Sequence, residues 1–229
     1  MRAVMRFIHV VLVAIAIACT SCQRATGKPT VRLEVVAVDD TTDPFGKDLP
    51  ANLPRGLTIE SETVRSAPGP EAEVRRVRYA SLVDAAGETI DAAITRVDPW
   101  LRGLPLPPGA RFAWRKMPSR IRVFQARAFI LTADAVVTSD DIVEAKCDTS
   151  TPEPSVMVTL SKPGQARFAK ATLEWTGRRL ATLVDGKVLG AYVVISEVTG
   201  GQMMVLPNAA NPDEKADAAD TLARQLGGR

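Results

Sequence analysis

The stretch Leu180-Ala181-Thr182-Leu183-Val184-Asp185-Gly186-Lys187-Val188-Leu189-Gly190-Ala191-Tyr192-Val193-Val194-Ile195 decides how this chain folds. Two valine-rich runs, Leu180–Val184 and Val188–Ile195, flank Asp185-Gly186. Asp-Gly between apolar runs is a strong hairpin signal, because a two-residue turn that matches strand twist needs positive φ at both central positions. The segment therefore predicts two antiparallel strands.

The neighbouring segments extend the pattern on both sides. Val156–Leu160 reads as a strand, and Ser161-Lys162-Pro163 opens a helix with proline near its first turn. Phe168, Thr172 and Trp175 share one face of that helix, with Ala169 and Ala171 at its margins. Gly177 reads as its C-cap in positive φ. Arg178 and Arg179 follow, placed to meet the helix carbonyls or to lie over apolar surface. Beyond the hairpin, Gly200-Gly201 makes a turn and Gln202–Leu206 a last strand. Asn211-Pro212-Asp213-Glu214 then starts a helix whose apolar face is Ala216, Ala219, Leu222, Ala223 and Leu226. The order strand, helix, hairpin, strand, helix gives an α+β fold: a mainly antiparallel sheet with helices packed on one face.

The preceding part is less regular. Val31–Val38, Leu57–Val64 and Val74–Leu82 read as strands, with Asp39–Arg55 a loop and Ser66–Pro70 a turn. Ile90, Ile94 and Val97 have helical spacing, and Asp98-Pro99 is expected to end any helix there. Two strands follow near Arg111–Lys116 and Ile121–Leu131, where Arg120, Arg122 and Arg127 read as solvated strand faces. Ser139-Asp140-Asp141, a cap followed by acids, predicts a short helix over Thr138–Ala145. Trp100 and Trp114 are the aromatic residues best placed for exposed contacts, although core packing is the better reading for both.

The amino terminus reads as a targeting segment. Arg2 and Arg6 precede Phe7–Ile17, an 11-residue apolar run that fits a secretory signal and is short for a membrane span. It leads into Ala18-Cys19-Thr20-Ser21-Cys22, where small residues before a cysteine resemble a bacterial lipobox. That resemblance implies acylation of Cys19 or Cys22, with Cys19 favoured, and hence attachment to a membrane through acyl chains. Neither Thr20 nor Gln23, the residues after the two candidates, is aspartate. By resemblance to lipoprotein sorting nothing here signals inner-membrane retention, so the outer membrane is slightly favoured, with the chain facing the periplasm or the extracellular surface.

Composition removes several kinds of chemistry. The 229 residues carry 29 Lys+Arg against 26 Asp+Glu. Without Arg2 and Arg6 the balance is 27 against 26, too even for a nucleic-acid binder that depends on phosphate neutralisation. The single histidine, His9, lies in the apolar run, so a processed chain holds none. Histidine-based nucleophilic catalysis and histidine-ligated metal sites are thereby excluded. Three cysteines, Cys19, Cys22 and Cys147, are too few for a four-cysteine metal site. No catalytic, metal-binding or cofactor-binding residue is expected. Only carboxylates such as Asp140, Asp141 and Glu144 leave room for an enzyme, and they read as helix-start residues.

Val156–Gly201 resembles the head subdomain of the first periplasmic region of SecD, an accessory subunit of the bacterial protein-export translocase. The residues that carry the resemblance are Val158-Thr159-Leu160, Phe168, Gly177-Arg178-Arg179-Leu180-Ala181, Leu183-Val184-Asp185-Gly186-Lys187-Val188 and Thr199-Gly200-Gly201. Leu131–Ala145, Val31–Val38 and the helix from Asn211 fit more loosely. SecD works through transmembrane helices and proton-driven movement, and no such helices follow the signal here, so proton-coupled transport does not carry over. The resemblance implies the head's fold and contact with unfolded or extended polypeptide. The motif residues Gly177, Arg178, Arg179, Asp185, Gly186, Lys187, Gly200 and Gly201 read as structural. The expected organisation is a signal peptide over 1–18 and a tether over 19–30. An N-terminal part of strands and loops spans 31–125, and a head-like domain 126–229, whose sheet residues 31–38 are placed to join. The expected function is a non-catalytic envelope lipoprotein that binds extended polypeptide or docks to an envelope complex. The alternative is a carboxylate-dependent envelope enzyme acting on glycan or peptide.

Overall fold

The computed structural model describes residues 28–46, 52–83, 87–117, 125–209 and 211–227. The apolar amino-terminal run, His9, Cys19 and Cys22 lie outside these residues, as do Arg120 and Arg122. Among the described residues no helix is long and apolar enough to cross a membrane.

The elements are β1 (Leu33–Val38), β2 (Leu57–Arg65), β3 (Val74–Val83), α1 (Ile90–Arg102), β4 (Arg111–Met117) and β5 (Gln125–Thr138). They continue with β6 (Ile142–Asp148), β7 (Ser155–Leu160), α2 (Lys162–Glu174), β8 (Arg179–Val184), β9 (Lys187–Val193), β10 (Gln202–Val205) and α3 (Pro212–Gln225). All ten strands pair antiparallel, so the fold is α+β, as the hairpin and its flanking helices predict. The larger sheet has seven strands, and β6, β7 and β10 form a second sheet of three. The helices are shared between the two sheets, where the sequence suggested one sheet under one helical layer.

β1 is the hub. It pairs with β5 on one side and β8 on the other, and all six of its residues are buried. Val36 and Val38 enter a cluster with Phe129, Leu131, Leu183 and Val188. Leu33, Val35 and Ala37 enter another with Val156, Val158, Phe168 and Leu222. A strand covered on both faces is apolar at successive positions, which explains its valine-rich run. Its one acid, Glu34, is held by Arg32 at 2.8 Å.

β5 is 14 residues long and carries three partners. Leu131 pairs with Val38 of β1 and with Arg111 of β4, so those strands lie on opposite edges. Gln125–Arg127 pair with both β3 and β4. The β2–β3 hairpin therefore continues along the same edge of β5 as β1. In α1, Ile90, Ala93, Val97 and Leu101 recur at helical spacing and face Leu82, Trp114 and Ala126.

Two local readings are corrected. Pro99 does not end its helix: α1 runs to Arg102. Proline removes one backbone donor, but Val97 and Leu101 on either side are wholly buried, and packing carries the helix through. Thr138–Ala145 is not a helix. Ser139–Asp141 make one 3-10 turn, and the chain then enters β6, whose ladder with β7 runs from Ile142 against Leu160 to Asp148 against Ser155. The local helix signal is overridden because the ladder pairs six residues of β6 with partners that lie outside that sequence window. Trp114 is core, as expected: its ring is buried and its indole N–H donates to Asp98 at 3.2 Å.

Candidate functional site

The last strands of the two sheets, β9 and β10, border an open groove of about 400 Å3. Val35 of β1 with Leu180 and Thr182 of β8 contribute from the large sheet, and Phe168 and Thr172 from α2. Tyr192–Ser196 form one side and Gln202–Met204 the other. The lining is overwhelmingly apolar, and its rim is exposed: Tyr192 at 46%, Ile195 at 64% and Met204 at 54%. Large apolar side chains open to solvent at neighbouring positions are the informative exception on a protein surface.

Local chemistry fixes this shape. Ser161 caps α2 by accepting from the Gly164 N–H at 3.3 Å. Gly164 is required there, because any Cβ would meet the Asp141 side chain at 2.8 Å. Thr172 Oγ1 donates to the Phe168 carbonyl at 2.9 Å and accepts the Val198 N–H at 2.9 Å, which ties the β9–β10 connection to the helix. Gln165 donates to the Thr199 carbonyl. Gly201 has φ 65°, and its carbonyl accepts the Leu160 N–H at 2.8 Å. A side chain at Gly201 would also press on Gln165, 2.9 Å away, whereas Gly200 faces open space. Tyr192 folds back across Gly190 on the same face of β9, where even a methyl group would collide with the ring. Sequence reasoning missed Gly190, which makes room for Tyr192 two residues on, and it missed Gly164 and the rim residues because their roles come from neighbours far away in the chain.

The hairpin residues sit elsewhere. Asp185 has φ 48° and Gly186 φ 75°. The Arg32 N–H donates to Asp185 Oδ1 at 2.8 Å, and the Asp185 N–H donates to the Arg32 carbonyl at 2.9 Å, so the turn is tied to the start of β1. Gly186 and Lys187 face a cleft with α1 and β4, not the groove.

Gly177, Arg178 and Arg179 connect the groove to the β2–β3 hairpin. Gly177 (φ 78°) donates its N–H to the Val194 carbonyl at 2.8 Å, and the Arg178 carbonyl accepts the Val194 N–H at 2.9 Å. A Cβ at Gly177 would lie 3.0 Å from that of Ser66, just beyond β2. The Arg178 guanidinium covers the Trp175 ring at 5.4 Å.

Arg179 lies over the Phe129 ring at 5.3 Å, and two carboxylates, which the sequence reading did not foresee, hold its charge. Its side chain is 8% exposed, and its guanidinium grips Asp40 through two nitrogens, one at 2.8 Å, and Glu62 at 2.6 Å. Arg127 is likewise buried, not on a solvated face; it pairs with the same Glu62 and stacks on Tyr79 at 3.8 Å. Phe129 lies 4.6 Å from the Arg127 guanidinium carbon and 5.3 Å from that of Arg179. Burial opposes the Arg179 charge, but hydrogen bonds and charge from Asp40 and Glu62 outweigh it and raise its pKa. Burial also opposes the Glu62 carboxylate; Arg127 and Arg179 outweigh that and hold its pKa below the ordinary range.

The three carboxylates considered for catalysis do not converge. Asp141 is buried, pairs with Arg167 and accepts the Thr138 N–H at 3.0 Å. Glu144 pairs with Lys146 at 2.9 Å, and Asp140 is exposed. None of them lines the groove.

Residues 116–227 match the family model described as SecDF, P1 head subdomain. Among curated proteins, the chain is 34% identical over 79 residues to "Protein translocase subunit SecD" of Desulfurispirillum indicum, covering 34% of this chain and 15% of that one. It is 32% identical over 76 residues to the protein of the same name in Acidaminococcus fermentans, covering 33% and 18%. The chain thus matches less than a fifth of the length of these relatives. Among solved structures it is similar to SecDF in a super-membrane-facing form, with TM-score 0.38, 16% identity and coverage of 86% of this chain and 28% of that one. It is also similar to SecDF described as a membrane component that enhances protein export, with TM-score 0.36, 14% identity and coverage of 86% and 93%. Residues 116–227 of this chain are thus similar to the head subdomain of SecD.

Proposed function

We propose that this protein is a non-catalytic lipoprotein of the cell envelope whose head-like domain binds extended polypeptide in the groove between β9 and β10. The observation that carries the reading is the groove itself, an apolar cleft bordered by the last strands of two sheets and rimmed by exposed Tyr192, Ile195 and Met204. An extended segment adds main-chain hydrogen bonds at a sheet edge and seats alternate side chains in the cleft. Methionine suits such a surface because its flexible, polarisable side chain adapts to different partners. The SecD relatives are translocase subunits, and the export association is carried over here as contact with polypeptide in the envelope or docking to an envelope complex. Acylation at Cys19 or Cys22 supplies the membrane attachment, with the periplasmic face of the outer membrane favoured.

The test uses a fluorescein-labelled peptide of alternating valine and threonine, followed by anisotropy. Saturable binding without product is expected. Ile195→Glu and Met204→Glu replace side chains more than half exposed in the folded protein. Each should weaken binding roughly ten-fold or more, the loss expected when one large apolar contact is removed. Unchanged affinity in both variants would refute the groove. Cleavage of peptide or glycan fragments, lost on replacing Asp140, Asp141 or Glu144, would favour the enzyme instead.

A further inference from the structure

We infer that the β2–β3 hairpin is a positioning element for the groove: Glu62, clamped between Arg127 and Arg179, fixes the β9 side against which a polypeptide would pair. The inference rests on the polypeptide-binding reading of that groove and gives a role to a part of the chain outside the family match.

The connection is continuous. Glu62 lies on β2 and shares its carboxylate between Arg127 of β5 and Arg179 of β8. Arg179 also holds Asp40, whose side chain is 4% exposed, so the guanidinium has fixed partners on two sides. Arg179 opens β8 and stands opposite Val193 of β9. One residue earlier, the Arg178 carbonyl takes the Val194 N–H, and one before that, Gly177 gives its N–H to the Val194 carbonyl. Val193 and Val194 line the groove. The hairpin meets the same segment a second time, where Ser66 packs against the bare backbone of Gly177.

A side chain at residue 177 would push Ser66 away, and loss of the Glu62 charge would release Arg179 from one side. Either change frees the segment that holds Val194 without touching a groove-lining residue. Surface attraction alone does not account for the arrangement, because Arg127, Arg179 and Asp40 are all largely withdrawn from water. Charges so placed have defined geometry and couple the elements that carry them.

The experiment compares the wild-type protein with Glu62→Gln, and with Glu73→Gln as control. Glu73 pairs with Arg75 near the hairpin tip and is 62% exposed, so its loss should leave the groove unchanged. Two readouts are taken: amide hydrogen exchange at Val193, Val194 and Ile195, and affinity for the valine–threonine peptide. In Glu62→Gln, exchange at these amides should accelerate relative to β7. Peptide affinity should fall roughly three- to thirty-fold, the range for coupling transmitted through packed contacts. Unchanged exchange at Val194 in folded Glu62→Gln, or equal acceleration throughout the sheet, overturns the inference. If Glu62→Gln does not reach the native circular dichroism spectrum, Glu62→Asp, which keeps the charge and shortens its reach, is judged by the same exchange criterion. Failure of the wild-type protein to bind peptide would remove the groove reading, while Val194 exchange still decides whether the hairpin positions β9.

Discussion

Replacing Arg179 with methionine should be among the most damaging single changes in the chain. The substitution keeps an unbranched apolar stem and removes the guanidinium. Asp40 then loses two hydrogen bonds, one of them 2.8 Å long, and Glu62 loses one of 2.6 Å. Glu62 is partly exposed at 28% and keeps Arg127, so its share of the loss is small. Asp40 is different: its side chain is 4% exposed and so largely withdrawn from water. An uncompensated buried charge costs about 3–5 kcal/mol. With a urea m-value of roughly 2–3 kcal/mol/M, the unfolding midpoint should fall by about 1–2 M. The measurement is urea unfolding followed by circular dichroism on the chain from Lys28 onward. The double variant Arg179→Met/Asp40→Leu removes the stranded charge together with its partner and should recover most of the loss, because apolar replacement of a whole buried pair is often near neutral. A midpoint shift under about 0.3 M in Arg179→Met, typical of a surface pair, would refute this account of the network.

Gly186→Val should cost about 1–3 kcal/mol, the range for a strained backbone position. No atom lies within 4 Å of the added Cβ, so the loss is conformational, and Gly186→Asn should show less of it in the same urea titration. Acid should weaken the hairpin contact. Glu62 has its pKa depressed below 4.5 in the folded state, so its contribution is present above pH 4.5 and is lost as pH falls through the folded value. The wild type should therefore lose stability below pH 4.5 more steeply than Glu62→Gln, and parallel curves would contradict the pairing. Lipid labelling in cells should disappear in the double variant Cys19→Ser/Cys22→Ser, and persistence of the label would rule out both anchors.

The sequence by itself determined the elements whose signals are local. Asp185-Gly186 specified a hairpin because the two residues that must adopt positive φ stand next to each other. Ser161 and Asn211 marked helix starts, and both side chains do accept the expected N–H, from Gly164 at 3.3 Å and Glu214 at 2.8 Å. The resemblance to the SecD head was legible for the same reason, since it is carried by contiguous turn and cap residues.

What the tertiary structure decided is whatever depends on residues far apart in the chain. Ser139-Asp140-Asp141 has the composition of a helix start, yet Ile142–Asp148 becomes a strand because β7 offers it a ladder. Arg127 and Arg179 are charged and would be placed on the surface by composition alone. They are buried because Glu62 and Asp40, 65 and 139 residues away, supply the countercharge. The groove was not legible either. Its sides come from β9 and β10, the outer strands of two different sheets, and Tyr192, Ile195 and Met204 read in sequence as ordinary strand residues until the sheets are placed. Local chemistry specifies turns and caps; burial of charge and exposure of apolar surface are properties of the assembled fold.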